Sequence, residues 1–180
     1  RFSIHSCNTD NTVTEPWMYP SCTRYIRDAI RLRYRLVPYL YSLFHEASTE
    51  GSPIMRPLVY EFQHDERVWE ESFDFMFGPF LLVANVLEKG AQTRRVYLPE
   101  GAEWVHWETG ERHAGGQTVE LPVTLGSIPM FLRSGAIVPM APELTNLHRD
   151  TVEELHILPE PSAESRFVLY DDDGVTNRYR

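Results

Sequence analysis

The chain is 180 residues long, 42% hydrophobic and 24% charged, with a formal net charge of −9 and a pI near 5.2. That composition suits one globular domain with pieces of others, and its acidity disfavours nucleic acid and anionic membranes as partners. No apolar run approaches the ~20 residues that span a bilayer, no charged-then-apolar leader opens the sequence, and the two cysteines, Cys7 and Cys22, lack metal-type spacing and read as free thiols, which favours a reducing, cytoplasmic compartment.

Residues 1–20 are polar and irregular, with Asn8, Asp10, Asn11, Pro16 and Pro20, and read as a loop, where binding residues concentrate. Residues 21–50 read as one long helix. Ser21 or Thr23 can cap its start, and Gly51 suits the left-handed position after its end, with Pro53 blocking continuation. Apolar residues recur at Ile26, Ala29, Ile30, Leu36, Val37, Leu40, Phe44 and Ala47, near the helical period. Arg24, Arg27, Arg31 and Arg35 share a side, and Asp28 stands four residues after Arg24, the spacing of an ion pair. From Leu36 to Phe44 the helix is apolar nearly all round, which predicts cover on every side, and Pro38 predicts a kink.

After Gly51 the period changes. A short helix is predicted within residues 66–77, centred on Val68 to Phe75. Short apolar or alternating runs come next at Phe80 to Val86, Thr93 to Leu98, Glu103 to Trp107, Gln117 to Leu121, Ile128 to Arg133 and Ala136 to Pro139, then at Glu154 to Leu158 and Arg166 to Tyr170. Gly-rich turns separate them, including Gly115-Gly116 and Asp171-Asp172-Asp173-Gly174. Short strands with regular turn signals predict an antiparallel sandwich or barrel. The expected fold class is therefore mainly β with one long N-terminal helix. Arg1 to His5 and Arg178 to Arg180 read as interior to a longer protein.

Six segments, in order, carry a resemblance. They are Ala29 to Tyr41 with its Arg33-Tyr34-Arg35-Leu36-Val37-Pro38-Tyr39-Leu40-Tyr41 run, Gly51-Ser52-Pro53-Ile54-Met55-Arg56-Pro57-Leu58, and Phe75-Met76-Phe77-Gly78-Pro79-Phe80-Leu81-Leu82-Val83-Ala84. After them come Val96-Tyr97-Leu98-Pro99 with Trp104, Ile128 to Pro139, and Leu169-Tyr170-Asp171-Asp172-Asp173-Gly174. Together they resemble the C-terminal third of glycoside hydrolase family 31, the α-glucosidase and α-xylosidase family. The resemblance implies three parts: the last loop and helix of a (β/α)8 barrel at 1–51, a proximal C-terminal β-sandwich at 52–145, and the start of a truncated distal β-domain at 146–180. A barrel needs ~250 residues, so most of it lies outside this sequence.

The same resemblance implies the chemistry of the intact protein: hydrolysis, with retention, of terminal α-glucosides or related α-linked sugars by a carboxylate nucleophile and a carboxylic acid/base. Both are aspartates in family motifs that this sequence lacks, so no catalytic residue is assigned, and the chain alone is expected to be inactive. The resemblance places one substrate-binding residue, His5, in the loop after the last barrel strand, where imidazole can donate to or accept from sugar hydroxyls. Ser3 stands where the family has an arginine. Asn8 and Asp10 share that loop, as specificity residues or as turn formers.

No cofactor and no metal site are expected. Asp171 to Asp173 read as a polar turn, with a calcium loop as the lesser reading. Arg56 and Arg133 are expected to bind carbonyls or carboxylates where barrel and sandwich meet. Trp104, Trp107 and Tyr97 read as core or edge cover, or as a sugar platform. That platform motivates the alternative, a stand-alone carbohydrate-binding or structural β-module. Expected partners are a carbohydrate substrate, acting through the intact enzyme, the remainder of the barrel and a second copy in a homo-oligomer.

Overall fold

The computed structural model describes residues 6–7, 9, 13–70, 73–143, 156–159, 164–173 and 175–177. Two-residue strands β1 (Ser6–Cys7) and β2 (Val13–Thr14) pair antiparallel within the predicted opening loop. A 3-10 turn at Pro16–Met18 leads into two helices, α1 (Thr23–Arg35) and α2 (Val37–Glu50).

The predicted single helix is thus broken at Leu36, whose ψ of 2° leaves helical geometry. Pro38 falls in the first turn of α2, where its missing N–H costs no hydrogen bond, so the break precedes the proline instead of kinking the helix at it. Neither Ser21 nor Thr23 caps α1. Cys22 occupies the N-cap position without a side-chain bond, and the Thr23 hydroxyl donates backwards to the Tyr19 carbonyl at 3.0 Å. Gly51 closes α2 as expected, with φ 76° and its N–H on the Ala47 carbonyl at 3.1 Å. The cover expected around α2 is one-sided. Tyr39, Ser42 and Leu43 are buried, while Tyr41 is 40% and Phe44 55% exposed.

The β unit is antiparallel. A six-stranded sheet runs in the order β3 (Met55–Pro57), β4 (Phe75–Phe77), β5 (Leu81–Val83), β10 (Met130–Arg133), β7 (Glu103–His106) and β8 (Arg112–Ala114). A one-turn helix, α3 (Leu58–Glu61), follows β3. Strands β6 (Thr93–Leu98) and β9 (Gln117–Pro122) form a separate ribbon, and β11 (Ile137–Met140) pairs with β12 (His156–Pro159). Residues 66–77 do not form the predicted helix; a 3-10 turn at Glu66–Val68 precedes β4. Residues 166–170 lie in no strand, although they read as one from the sequence.

Strand alternation gives the sheet two apolar faces. One carries Met76, Leu82, Phe131 and Trp104 and packs with Val96 and Leu98 of the ribbon and with Leu58, Phe62 and Val68. The other carries Leu81, Leu132 and Val105 and packs with Leu36, Tyr39 and Leu43 of the helices and with Val138 and Met140 of β11. The sheet is therefore a middle layer, with a ribbon on one side and α2 with β11 on the other. On the ribbon side the second β layer is two strands wide.

Candidate functional site

His5, Asn8 and Asp10 lie outside the described residues. Downstream of them stands a strongly exposed apolar turn: Trp17 is 70%, Met18 52% and Tyr19 45% exposed. Beside it, Pro16 and the α1 residues Thr23, Ile26, Arg27, Ile30, Arg31 and Tyr34 line an open cleft of about 350 Å³.

The best-built polar site lies where α2 meets the sheet. The Arg56 side chain, 6% exposed, uses its whole fork. Its Nε donates to the Pro53 carbonyl at 2.8 Å, one terminal nitrogen to Glu61 at 2.6 Å and the other to Glu46 of α2 at 2.7 Å. Arg133 of β10 donates to the second Glu61 oxygen at 3.1 Å. Arg56 on β3 and Arg133 on β10 point to the same sheet face with two strands between them, and the Glu61 carboxylate takes both. Burial alone would lower the Arg56 pKa, but the two glutamates outweigh it and raise it. The guanidinium is thus a permanent cation tying α2, α3 and the sheet together.

Tyr39 performs the apolar half of the same docking. It is fully buried, donates to the Phe77 carbonyl at 2.9 Å and meets the Phe77 ring edge-on at 5.6 Å. Burial raises its phenol far above the ordinary range, so it stays a neutral donor.

Two aspartates anchor the ribbon. Asp65 accepts from the Tyr97 hydroxyl at 2.6 Å, the Glu100 amide at 2.8 Å and the Arg67 amide at 3.0 Å. Burial pushes its carboxyl up, yet these donors prevail and hold it below the usual range. Burial and Asp65 together push Tyr97 up to about 12. Asp74 bonds Arg94 at 2.5 Å and the Asn85 amide at 3.2 Å, but there burial prevails and the carboxyl is raised. The two carboxylates therefore act on stability in opposite senses. Because the folded pKa of Asp65 is depressed, its contribution is present above the carboxylate range and lost as pH falls through the folded value. Asp65→Asn is expected to cost about 2 kcal/mol at pH 7, and urea denaturation repeated at falling pH should show the gap to wild type closing.

The sequence of residues 51–138 matches the family description "Glycosyl hydrolase family 31 C-terminal domain", and that of residues 1–43 matches "Glycosyl hydrolases family 31 TIM-barrel domain". Two consecutive parts of one family, in order, cover most of the chain. The chain belongs to glycoside hydrolase family 31. It is 39% identical to an α-xylosidase of Saccharolobus solfataricus, over 92% of this chain and 23% of that protein. To human neutral α-glucosidase AB it is 36% identical, over 99% of this chain and 19% of the other. Among solved structures it superposes with a TM-score of 0.85 on a family 31 dextranase of Flavobacterium johnsoniae, 35% identical, covering 94% of this chain and 21% of that one. A cycloalternan-forming enzyme of Listeria monocytogenes gives 0.83 at 27% identity, with 93% and 17% covered. The chain spans about a fifth of the length of the proteins it matches.

Glycoside hydrolysis in general uses a pair of carboxyl groups flanking the scissile bond. The buried carboxylates described here face protein groups: Glu61 holds two arginines, Asp65 a phenol and two amides, and Asp74 an arginine. In the acidic run, Asp172 accepts from Tyr41 and Tyr170, each at 2.7 Å, and Asp173 accepts the Val175 and Thr176 amides. Those are the bonds of a turn and of a clasp on α2. Among the described residues no group of three or more His, Cys, Asp or Glu is placed to hold a metal ion, and no helix is long and apolar enough to cross a membrane. Cys22 is a free thiol.

Arg56 and Arg133 bind a carbonyl and carboxylates, as expected of the side chains. Trp104 is fully buried, with its indole N–H on the Pro99 carbonyl at 3.0 Å, and Trp107 packs against the helix-side core. The buried Trp104 ring offers no face to a sugar, while Trp107 is half-buried. The sequence did not reveal Glu46 as the helix-side partner of Arg56, nor the Tyr41–Asp172–Tyr170 clasp.

Proposed function

We propose that this chain is the C-terminal part of a retaining α-glycosidase that hydrolyses terminal α-glucosides or related α-linked sugars. Residues 1–51 are the last loop and helix of the (β/α)8 barrel, 52–145 the proximal β-sandwich, and 146–180 the start of the distal β-domain. The chain supports the barrel and binds substrate through His5, while the catalytic aspartates come from an earlier part of the protein. One observation carries the reading. The barrel match ends at residue 43 and the C-terminal match begins at residue 51, on either side of the last turns of α2, whose Glu46 is clamped by Arg56 of the following sheet. An α-xylosidase, α-glucosidases and a dextranase among the relatives support an α-linked substrate.

The test is turnover of nitrophenyl α-glucoside and α-xyloside by the intact protein. Activity on at least one is expected, with anomeric retention, together with a fall of about 10²-fold or more in kcat/KM for His5→Ala and an unchanged melting temperature. An intact protein inert on every α-glycoside overturns the reading. Full activity of His5→Ala removes that residue from it.

A further inference from the structure

Residues 164–173 cross α2 without forming a helix or strand, and their attachments run through side chains. The Ser165 hydroxyl donates to the Gly135 carbonyl. Phe167, half-buried, sets its ring 5.3 Å from that of Tyr39 and 6.2 Å from that of Phe80. Val168 and Leu169 pass over 62% and 45% exposed. The Tyr170 amide then donates to the Ser42 hydroxyl of α2 at 3.0 Å, and the Tyr170 ring stacks on His45 at 3.9 Å.

The last attachment joins segment and helix through one atom. Oδ2 of Asp172 accepts from the Tyr41 hydroxyl of α2 and from the Tyr170 hydroxyl, each at 2.7 Å, and the two phenol rings lie 5.4 Å apart. Hydroxyl bonds to a carboxylate are charge-assisted, about twice as strong as neutral ones. Beneath the segment lies the seat of α2: the Tyr39 ring, which docks the helix on Phe77 of β4, is covered by Phe167. A segment tied by side chains, with two exposed apolar residues in its middle, loses little on lifting away, and such segments open at a lower free energy than the whole fold. We infer that residues 164–173 act as a strap that opens and closes over α2 as one unit, that Asp172 is its buckle, and that closure holds Tyr39 in its seat. The strap needs only contacts within this chain and does not depend on the glycosidase reading.

Hydrogen–deuterium exchange of the intact protein tests it, read on peptides covering 164–173, α2 and the central strands β5 and β10. In Asp172→Ala the strap peptide should exchange about tenfold faster and the α2 peptide about twofold faster, with β5 and β10 as in wild type. Tyr41→Phe keeps the ring and loses one bond, and should quicken the strap about threefold. Added to Asp172→Ala it should change nothing further, because the carboxylate it bonds is already gone. Ser42→Ala removes the acceptor of the Tyr170 amide and leaves the buckle in place; it should quicken the same peptide, and with Tyr41→Phe it carries the comparison if Asp172→Ala does not fold. A strap that exchanges at the wild-type rate in these variants overturns the inference. So does equal quickening of strap and central strands, which makes the opening global. A Tyr41→Phe effect that persists in full on Asp172→Ala overturns the buckle, and an unmoved α2 peptide overturns the hold on Tyr39.

Discussion

Arg56→Met is expected to cost about 4 kcal/mol of stability, because it removes one partner from a buried ion network. Methionine has about the length of the arginine stem and keeps much of its packing, so the loss isolates the charge. Glu61, 13% exposed, would keep only the Arg133 bond at 3.1 Å, and Glu46, 31% exposed, would turn to water. The Pro53 carbonyl would also lose its donor. Urea denaturation followed by tryptophan fluorescence measures the loss. Arg56→Met/Glu61→Gln should recover more than half of it, since the uncompensated carboxylate goes with its cation. A cost near ~0.5 kcal/mol would mean that the network behaves as a solvated surface pair.

This network also marks the limit of what the chain's pattern reveals. Strands β6 and β9 were legible almost to the residue because each is six residues long and alternates, burying Val96 and Leu98 while Thr93 and Arg95 face water. Gly51 and the proline after it announced the end of α2. Strand β4 was not legible: three residues cannot display a period of two, and the mixed stretch from Val68 to Phe75, with apolar Val68, Trp69, Phe73 and Phe75 among acidic residues, imitates an amphipathic helix. Residues 166–170 carry the apolar run of a buried strand but lie in none. There the Tyr170 amide bonds the Ser42 hydroxyl at 3.0 Å, and Phe167 packs on Tyr39. The partners of Glu61 lie five and 72 residues away, a separation on which no local pattern reports. His5 was named from a family resemblance alone, and its position lies outside the described residues.

Gly78→Ala is expected to cost about 3 kcal/mol and to act through α2. Gly78 has φ 60°, a conformation that costs an L-residue about 1–2 kcal/mol. It also faces the helix directly: an added Cβ would lie 2.5 Å from the Tyr39 hydroxyl oxygen and 2.8 Å from both Leu43 methyls. Neither neighbour can yield freely, since Tyr39 is held on the Phe77 carbonyl and the Gly78 amide on the Ile54 carbonyl at 2.8 Å. Overpacking of this kind adds about 1–3 kcal/mol. Gly90→Ala supplies the comparison. Gly90 has φ 79° with nothing within 4 Å of the added carbon, so it should show only the backbone share, about 1 kcal/mol. Subtracting the two denaturation free energies leaves the clash itself. A second comparison, Gly78→Ala/Tyr39→Phe, removes the nearest atom and should return part of it, less than the full amount because the Phe77 carbonyl then loses its donor. If Gly78→Ala costs no more than Gly90→Ala, α2 does not seat against the β4–β5 turn, and the docking that ties the barrel-matched helix to the β unit is lost with it.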